Sequence, residues 1–370
     1  MTKKITAAVD CSAGAIGAIR LIFRLPQPAR WMPSETRSPD RSAPYIEMQH
    51  SVAALAAVLS AAATQAARAQ WETLAAVPDT IGTGGAIIDP EALLLLTAWL
   101  VPREPDLSPI MHDWVAKWSD LLSVQRTRNL SKAFPAGLVP VLRAVAITAH
   151  ERGKDFRWSP VIKGGSGTDV VMALEHGAAL AVDMSRLPFG AARLPVERDA
   201  LLVLLFRMAF GVGARADALA YLMARGDTWS TVTEIALATG YTPSAIRRAL
   251  DRMTEADIVL MVDDGATRYR CDAARWGALL GLQSTVEPWS YWLQQFSFVA
   301  TFVEWADSTA RRKLTAYSIT EGMRGVARTI RPTGDHDAIQ RWDHAFRDGA
   351  EASEMEAALT ELAASLLPPR

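Results

Sequence analysis

Cysteine is scarce in this chain of 370 residues, which contains only Cys11 and Cys271. Two cysteines cannot build a disulfide framework, and no CxxC pair or Cys/His cluster indicates a structural zinc site. We therefore expect neither a metal nor a cofactor. A reducing cytoplasm is the compartment that fits this cysteine usage.

An excess of charge of one sign is also missing. The chain carries 39 basic and 40 acidic residues, which gives a formal net charge of −1. This balance argues against an indiscriminate electrostatic grip on nucleic acid along the whole surface. Any contact with DNA must come from a local basic patch.

Uninterrupted apolar runs are short. None approaches the roughly 18 residues of a membrane-spanning helix, so we expect no membrane segment. The run "SVAALAAVLSAAATQAARAQ" after Met48 imitates a signal peptide, but no Lys or Arg lies between Met48 and the run. We interpret it as an alanine-rich first helix of a folded domain.

Composition and hydrophobic period predict a mainly α protein with five segments. Residues 1–47 are rich in Pro, Ser and Arg and are interpreted as a disordered arm or as an upstream start, with Met48 as initiator. The other segments are a helical N-terminal region (48–157), a small β insert (158–197), a winged helix-turn-helix domain (198–284) and a helical C-terminal region (285–370).

Two Pro-containing stretches predict helix starts in the N-terminal region. Asp89 with Pro90, and Ser108 with Pro109, each place a capping side chain before a proline at the first helical position. In the β insert, short apolar runs bounded by glycines and charges predict a hairpin or a three-stranded sheet, at Val161–Ile162, Val170–Leu174 and Ala179–Met184.

The segment "TWSTVTEIALATGYTPSAIRRAL", Thr228 to Leu250, predicts two short helices joined by a tight turn. Thr231 and Glu234 form a capping box at the start of the first helix. Gly240 supplies the left-handed backbone position that the turn needs. Thr242 and Pro243 then open the second helix as its cap and first residue.

The second helix is predicted to be amphipathic. Ile246, Ala249, Leu250 and Met253 share one face, which we expect to be buried. Directly afterwards, "DIVLMVDDGATRYRC" gives two runs of period two around an Asp-Gly turn, which indicates a β-hairpin.

Residues 205–275 resemble the winged helix-turn-helix domain of ArsR/MarR-type transcriptional regulators. Ala236, Gly240 and Ile246 match the small residue, the turn glycine and a buried aliphatic of that motif, whereas Ala249 departs from its usual larger aliphatic, with Leu250 beside it. The apolar stretch "FGVGARADALAYLMARG" is similar to the helix that precedes the motif.

This resemblance implies a sequence-specific DNA-binding protein, a cytoplasmic transcriptional regulator and not an enzyme, whose second helix enters the major groove of double-stranded DNA. A homodimer is implied as well, because such readers bind palindromic sites. Arg268 and Arg270 alternate onto one face of the second hairpin strand, away from Tyr269. The expected DNA-binding residues are Thr242, Ser244, Arg247, Arg248, Arg252, Arg268 and Arg270.

The local charge leaves an alternative open. Between Asp227 and Asp272 there are five arginines and eight acidic residues, a net charge of −3. Asp251 is positioned to neutralise Arg247, and Glu255 to neutralise Arg252. The alternative is a protein-interaction or scaffold module with a degenerate winged helix, such as the partner of a separately encoded enzyme.

Other candidate chemistry is weaker. "KGGSGTD", Lys163 to Asp169, is glycine-rich but matches no phosphate-binding pattern. "GDHDAIQRWDH" gathers His336 and His344 with three aspartates, and is interpreted as a solvated helix start rather than a metal site. Arg126, Arg128 and Lys132 are interpreted as part of a solvated loop and helix start, with an extended DNA track or the binding of an acidic partner as the alternatives. The aromatic series from Trp289 to Trp305 is interpreted as core, with a dimer interface as the alternative.

Overall fold

Helices dominate the computed structural model, which describes residues 43–75, 86–163, 194–196, 198–282, 288–312, 314–329 and 336–367. The helices of the first half are α1 (Ala43–Leu74), α2 (Pro90–Leu100), α3 (Leu107–Trp118), α4 (Val124–Leu130), α5 (Val139–Glu151) and α6 (Ser159–Lys163). Those of the centre are α7 (Leu202–Phe210), α8 (Ala214–Ala224), α9 (Val232–Thr239), α10 (Pro243–Glu255) and α11 (Ala273–Leu280). The last four are α12 (Trp292–Ala310), α13 (Ala316–Thr329), α14 (His336–Ala345) and α15 (Ala352–Ser365).

Three short strands form one antiparallel sheet in the described part of the chain. They are β1 (Ser230–Thr231), β2 (Leu260–Asp263) and β3 (Thr267–Arg270), in the order β1-β3-β2. A mainly α protein with a small β component was predicted, and this coarse fold class is confirmed.

The first hydrophobic core joins the two ends of the described chain. α1 packs against α12 and α15, and α2 packs against α1, α3 and α12. The Trp71 and Trp114 rings meet edge to face at 5.8 Å, and the Trp71 indole donates to Thr97 Oγ1 at 2.9 Å. The aromatic series of α12 was interpreted as core, and Phe296, Phe298 and Phe302 are fully buried there.

The second core lies in the centre of the sequence. It is built from α7, α8, α9 and α10, with Tyr269 of β3 and Cys271. The backbone breaks between α7 and α8 at Gly211, which has a φ of +79°. A positive φ of this size favours glycine, which suits Gly211 to the end of α7.

Several boundaries differ from the sequence predictions. Residues 43–47 are helical and belong to α1, so the predicted arm of residues 1–47 extends too far; Pro44 suits the first turn of a helix. Val161 and Ile162 were predicted in a strand but lie in α6, since a short β-branched run does not fix the period. The other two predicted strands of the insert lie outside the described residues.

The predicted start of α3, with Ser108 as cap and Pro109 as first residue, is also wrong. Its N-cap is Asp106 and its first residue is Leu107, so Ser108 lies inside the helix, where it is buried, and Pro109 lies in the first turn. A proline is tolerated there because the first N–H groups of a helix have no intrahelical partner.

α1 holds a segment that, by length and composition, could cross a membrane. Gln49–Leu74 has 26 residues and a mean hydropathy of 1.4 in its best window, although it contains no long uninterrupted apolar run. Within the fold, 44% of that window is buried. Leu59, Ala63 and Ala67 lie in the first core.

Candidate nucleic-acid interface

The turn between α9 and α10 has the local geometry that the sequence predicts. The Glu234 amide donates to Thr231 Oγ1 at 3.3 Å, and the Thr231 amide donates to Glu234 Oε2 at 2.6 Å, which closes the capping box. Gly240 has a φ of +70°. The positive φ favours glycine, and a Cβ at this position would lie 2.7 Å from Leu130 Cδ2, so a larger residue would also require the Leu130 side chain to shift.

α10 begins and packs as predicted. Thr242 Oγ1 accepts from the Ala245 amide at 3.3 Å, and Pro243 is the first helical residue. The four inward positions are all buried: Ile246, Ala249, Leu250 and Met253. A strongly one-sided helix of this kind leaves its opposite face to solvent.

The solvent face of α10 carries five of the seven predicted DNA-binding residues. They are Thr242, Ser244, Arg247, Arg248 and Arg252, and all are exposed. The Thr242 oxygen already accepts the capping bond, but its own O–H remains free to donate. Arg247 and Arg248 form no ion pair with any residue that the structure describes.

Arg252 is neutralised locally. Its Nη1 lies 2.8 Å from Glu255 Oε2, and both side chains are largely exposed. The sequence predicts this pair as one that neutralises the exposed face of α10. The second predicted pair, Arg247 with Asp251, is not formed among the described residues. α10 therefore presents two free guanidiniums and one that must exchange its partner to bind phosphate.

The hairpin that follows α10 pairs in the predicted manner. Leu260 lies opposite Arg270 and Asp263 opposite Thr267, with Gly265 at a φ of +106° in the turn. β1 directly precedes α9 and pairs with β3, so the hairpin is hydrogen-bonded to the segment that leads into α9.

The two hairpin arginines, which are expected to bind DNA, each have an acidic partner in this structure. Arg268 is paired with Asp264 in the turn. Arg270 lies 3.5 Å from Asp227 and its guanidinium stands 4.8 Å from the centre of the Trp229 ring. Tyr269 between them is buried, so both arginines do share the other face of β3, as predicted.

A buried ionic network beneath the turn escaped sequence reasoning. It consists of two guanidiniums and three carboxylates: Arg126, Arg207, Asp89, Glu91 and Asp217. All five side chains are at least 95% buried. Arg126 Nη1 donates to Asp89 Oδ1 at 2.7 Å, and Arg207 Nε donates to Asp217 Oδ1 at 2.8 Å. The interpretation of Arg126 as part of a solvated loop is wrong.

The network reaches the helix pair directly. Arg126 Nε donates to the Thr239 carbonyl at 2.7 Å, which satisfies one of the free carbonyls at the end of α9. The Tyr241 hydroxyl donates to Asp217 Oδ2 at 3.0 Å. From the other side, Gln294 Nε2 of α12 donates to the Leu237 carbonyl at 2.7 Å. Hydrogen bonds from Arg126 of α4 and Gln294 of α12 thus hold the α9–α10 pair against two helices from opposite ends of the chain.

Burial and charge act against each other in the pKa of Asp89. Burial raises the pKa of this carboxyl, but the Arg126 guanidinium and the Ala92 amide lower it further than burial raises it. Asp89 also caps α2 as predicted, through the Ala92 amide at 3.1 Å. One side chain therefore serves as a helix cap and as an ion-pair partner.

One signal in the sequence could have revealed the network. Leu202–Phe210, "LVLLFRMAF", contains a single charge, Arg207, in an otherwise apolar helix. A lone charge in such a helix must be paired when the helix is buried. Its partners Glu91 and Asp217 lie 116 and 10 residues away in sequence, so no local pattern identifies them.

The other candidate sites do not assemble. Lys163 ends α6, and the rest of "KGGSGTD" lies outside the described residues. His112 is buried beside Thr148, while His344 is exposed and lies 3.9 Å from Glu354. Among the described residues, no group of three or more His, Cys, Asp or Glu side chains could hold a metal. Comparison with protein-family models, with curated proteins and with solved structures found no match.

Proposed function

We propose that this protein binds double-stranded DNA in a sequence-specific manner and regulates transcription. In this proposal α9 and α10 are a helix-turn-helix, the hairpin β2–β3 is its wing, and α10 enters the major groove. The observation that carries the proposal is the solvent face of α10, where Arg247 and Arg248 are exposed and unpaired among the described residues.

The chemistry of that face suits a duplex. Arginine can form two parallel hydrogen bonds to guanine O6 and N7, the commonest specific contact in the major groove. Ser244 and the free N–H groups at the start of α10 can donate to a phosphate oxygen. Because Thr242 and Pro243 fix the helix start, these donors are held in one orientation before DNA binds.

The ion pairs of Arg252 and Arg268 weaken the field of this face but do not prevent binding. Both are formed between partly or largely exposed side chains. An exposed pair stabilises by only about 0–1 kcal/mol. A phosphate can therefore replace the carboxylate as partner at small cost. We also propose that the protein acts as a homodimer, since two-fold readers bind two half-sites.

The test is a salt titration with the full chain. Binding to a fluorescent duplex of mixed sequence is measured by anisotropy, starting at about 50 mM salt. The expected log–log slope of affinity against salt is about −1.8 if Arg247 and Arg248 alone replace counterions, and about −4.5 if all five arginines do. Absence of binding at the lowest salt would exclude the proposal.

A second candidate is a winged helix that binds a protein instead of DNA, as an interaction or scaffold module, with a separately encoded enzyme as one candidate partner. The hairpin favours it. β2 exposes Leu260 and Met261. Asp263 at the end of β2 and Asp264 in the turn carry negative charges, which repel phosphate. This candidate predicts no DNA binding at any salt. It also predicts that charge reversal at Asp263 and Asp264 does not create DNA binding.

A further inference from the structure

The turn at Gly240 brings a second stretch of the chain beside the start of α10. Leu130 of α4 packs directly on this turn, with its Cδ2 atom 2.7 Å from the place of a Cβ on Gly240. Arg126, one helical turn earlier in α4, donates to the Thr239 carbonyl at 2.7 Å. α4 is therefore fixed against the residues that lead from α9 into α10.

The solvent side of α4 carries two exposed cations. They are Arg128, and Lys132 in the short 3₁₀ helix Ser131–Ala133 that follows α4. Neither side chain forms a hydrogen bond or an ion pair with any residue that the structure describes. The two residues stand four positions apart, where like charges repel slightly, and an anion bound between them removes that cost. Asn129 is exposed as well, and its amide can donate to a phosphate oxygen.

Acidic residues are missing from all three stretches that meet at the turn. The chain has none in residues 121–150, which hold α4, and none in residues 235–250, which join α9 to α10. It has none in residues 288–303, from which Leu293 and Gln294 of α12 contact the turn and the end of α9. The exposed arginines and lysines of these stretches are Arg128, Lys132, Arg247 and Arg248.

The other charges near α10 do not cancel this basic surface. The buried network beneath the turn has three carboxylates and two guanidiniums, so its excess is one negative charge against four exposed cations. The far end of α10 and the hairpin are acidic, with Asp251, Glu255, Asp263 and Asp264 all exposed. A phosphate backbone is therefore attracted to the start of α10 and the neighbouring α4, and repelled from the end of α10.

We infer that α4 and the 3₁₀ helix after it form a second contact with the DNA backbone, in which Arg128 and Lys132 bind phosphates beside the site that α10 reads. This inference rests on the proposed function, because it assigns a further part of the same interface. Contacts with phosphate add affinity without adding sequence preference. For these two residues, the inference favours the extended DNA track over the solvated loop.

The experiment compares the full chain with Arg128→Ala plus Lys132→Ala by fluorescence anisotropy, on a mixed-sequence duplex and on a duplex enriched from a random pool. The double variant should bind both at least about tenfold more weakly at about 50 mM salt, with a log–log salt slope less steep by about 1.8, or about 0.9 for each lost phosphate contact. The loss should be equal on the two duplexes, because phosphates carry no sequence information.

Arg152→Ala plus Arg311→Ala is the matched control, since it removes two exposed arginines elsewhere and should change neither affinity nor slope. All four side chains are exposed, so both double variants should keep the urea midpoint of the unaltered chain.

Unchanged affinity and slope in Arg128→Ala plus Lys132→Ala would overturn the inference and leave the proposed function standing. An equal loss in the control, or a loss confined to the enriched duplex, would also overturn it, since neither pattern marks a phosphate contact at α4. Absence of binding by the unaltered chain would overturn the inference and the proposed function together.

Discussion

Arg207→Met tests the buried network in its simplest form. Arg207 makes four hydrogen bonds to the carboxylates of Glu91 and Asp217, at 2.7 to 2.9 Å, and a fifth to the Leu121 carbonyl. Methionine replaces the aliphatic part of the arginine side chain and carries no charge. The substitution leaves Glu91 paired with Arg126, but among the described residues it leaves Asp217 with the Tyr241 hydroxyl as its only side-chain hydrogen-bond partner.

The expected cost follows from that stranded charge. Removal of one partner from a buried ion pair destabilises by about 3–5 kcal/mol, because the remaining charge stays buried without compensation. The measurement is urea unfolding at pH 7, with the free energy of unfolding taken from midpoint and slope. Arg128→Met, on the exposed side of α4, is the control and should change stability by no more than about 0.5 kcal/mol.

Asp217→Asn added to Arg207→Met separates charge from packing. The double variant should recover part of the loss, because the stranded carboxylate becomes a neutral amide. It also keeps the test possible if the single variant does not fold. A loss below about 1 kcal/mol, or no recovery in the double variant, would refute the reasoning.

Two further predictions concern single positions. Burial, with a smaller contribution from the Arg152 charge, lowers the pKa of His112 to about 4. The buried neutral His112 therefore favours the folded state fully above about pH 6.5, and this contribution is lost as pH falls to about 4, because the unfolded chain binds the proton first. His112→Gln should remove about 3 kcal/mol of the pH dependence of unfolding over that window, and an unchanged pH profile would contradict this. Gly240→Ala should lower the free energy of unfolding by about 1–3 kcal/mol, and by more than Gly226→Ala does. Both glycines have positive φ, but only Gly240 lies against Leu130. Equal losses of stability in thermal unfolding would argue against the contact.

Local features of the α9–α10 segment were predictable from sequence because their causes are local. A capping box, a turn glycine, a second cap and an Asp-Gly turn each act within four residues. Thr231, Gly240 and Thr242 therefore have the predicted roles. The burial of Ile246 and Leu250 follows equally from the helical period.

The features that sequence reasoning missed depend on contacts between distant residues. Arg126 and Arg128 stand two apart in one short basic stretch, yet Arg126 is buried against Asp89 and Arg128 is exposed. Only the packing of α4 against the turn at Gly240 decides between them. The sequence did not reveal which arginines of the candidate site are paired, for the same reason. Arg270 pairs with Asp227, which lies outside the hairpin of Arg270.

The central claim is that α10 reads DNA through Arg247 and Arg248. The most direct measurement is selection of bound duplexes from a random pool, followed by affinity measurement on the enriched sequence. The comparison is between Arg247→Ala with Arg248→Ala, and Arg152→Ala with Arg311→Ala, which removes two exposed arginines elsewhere. An enriched motif is predicted, with affinity lowered at least about thirtyfold in the first double variant, since each arginine–guanine contact contributes about 1–3 kcal/mol, and unchanged in the second. No enrichment, or an equal loss in both double variants, would contradict the claim.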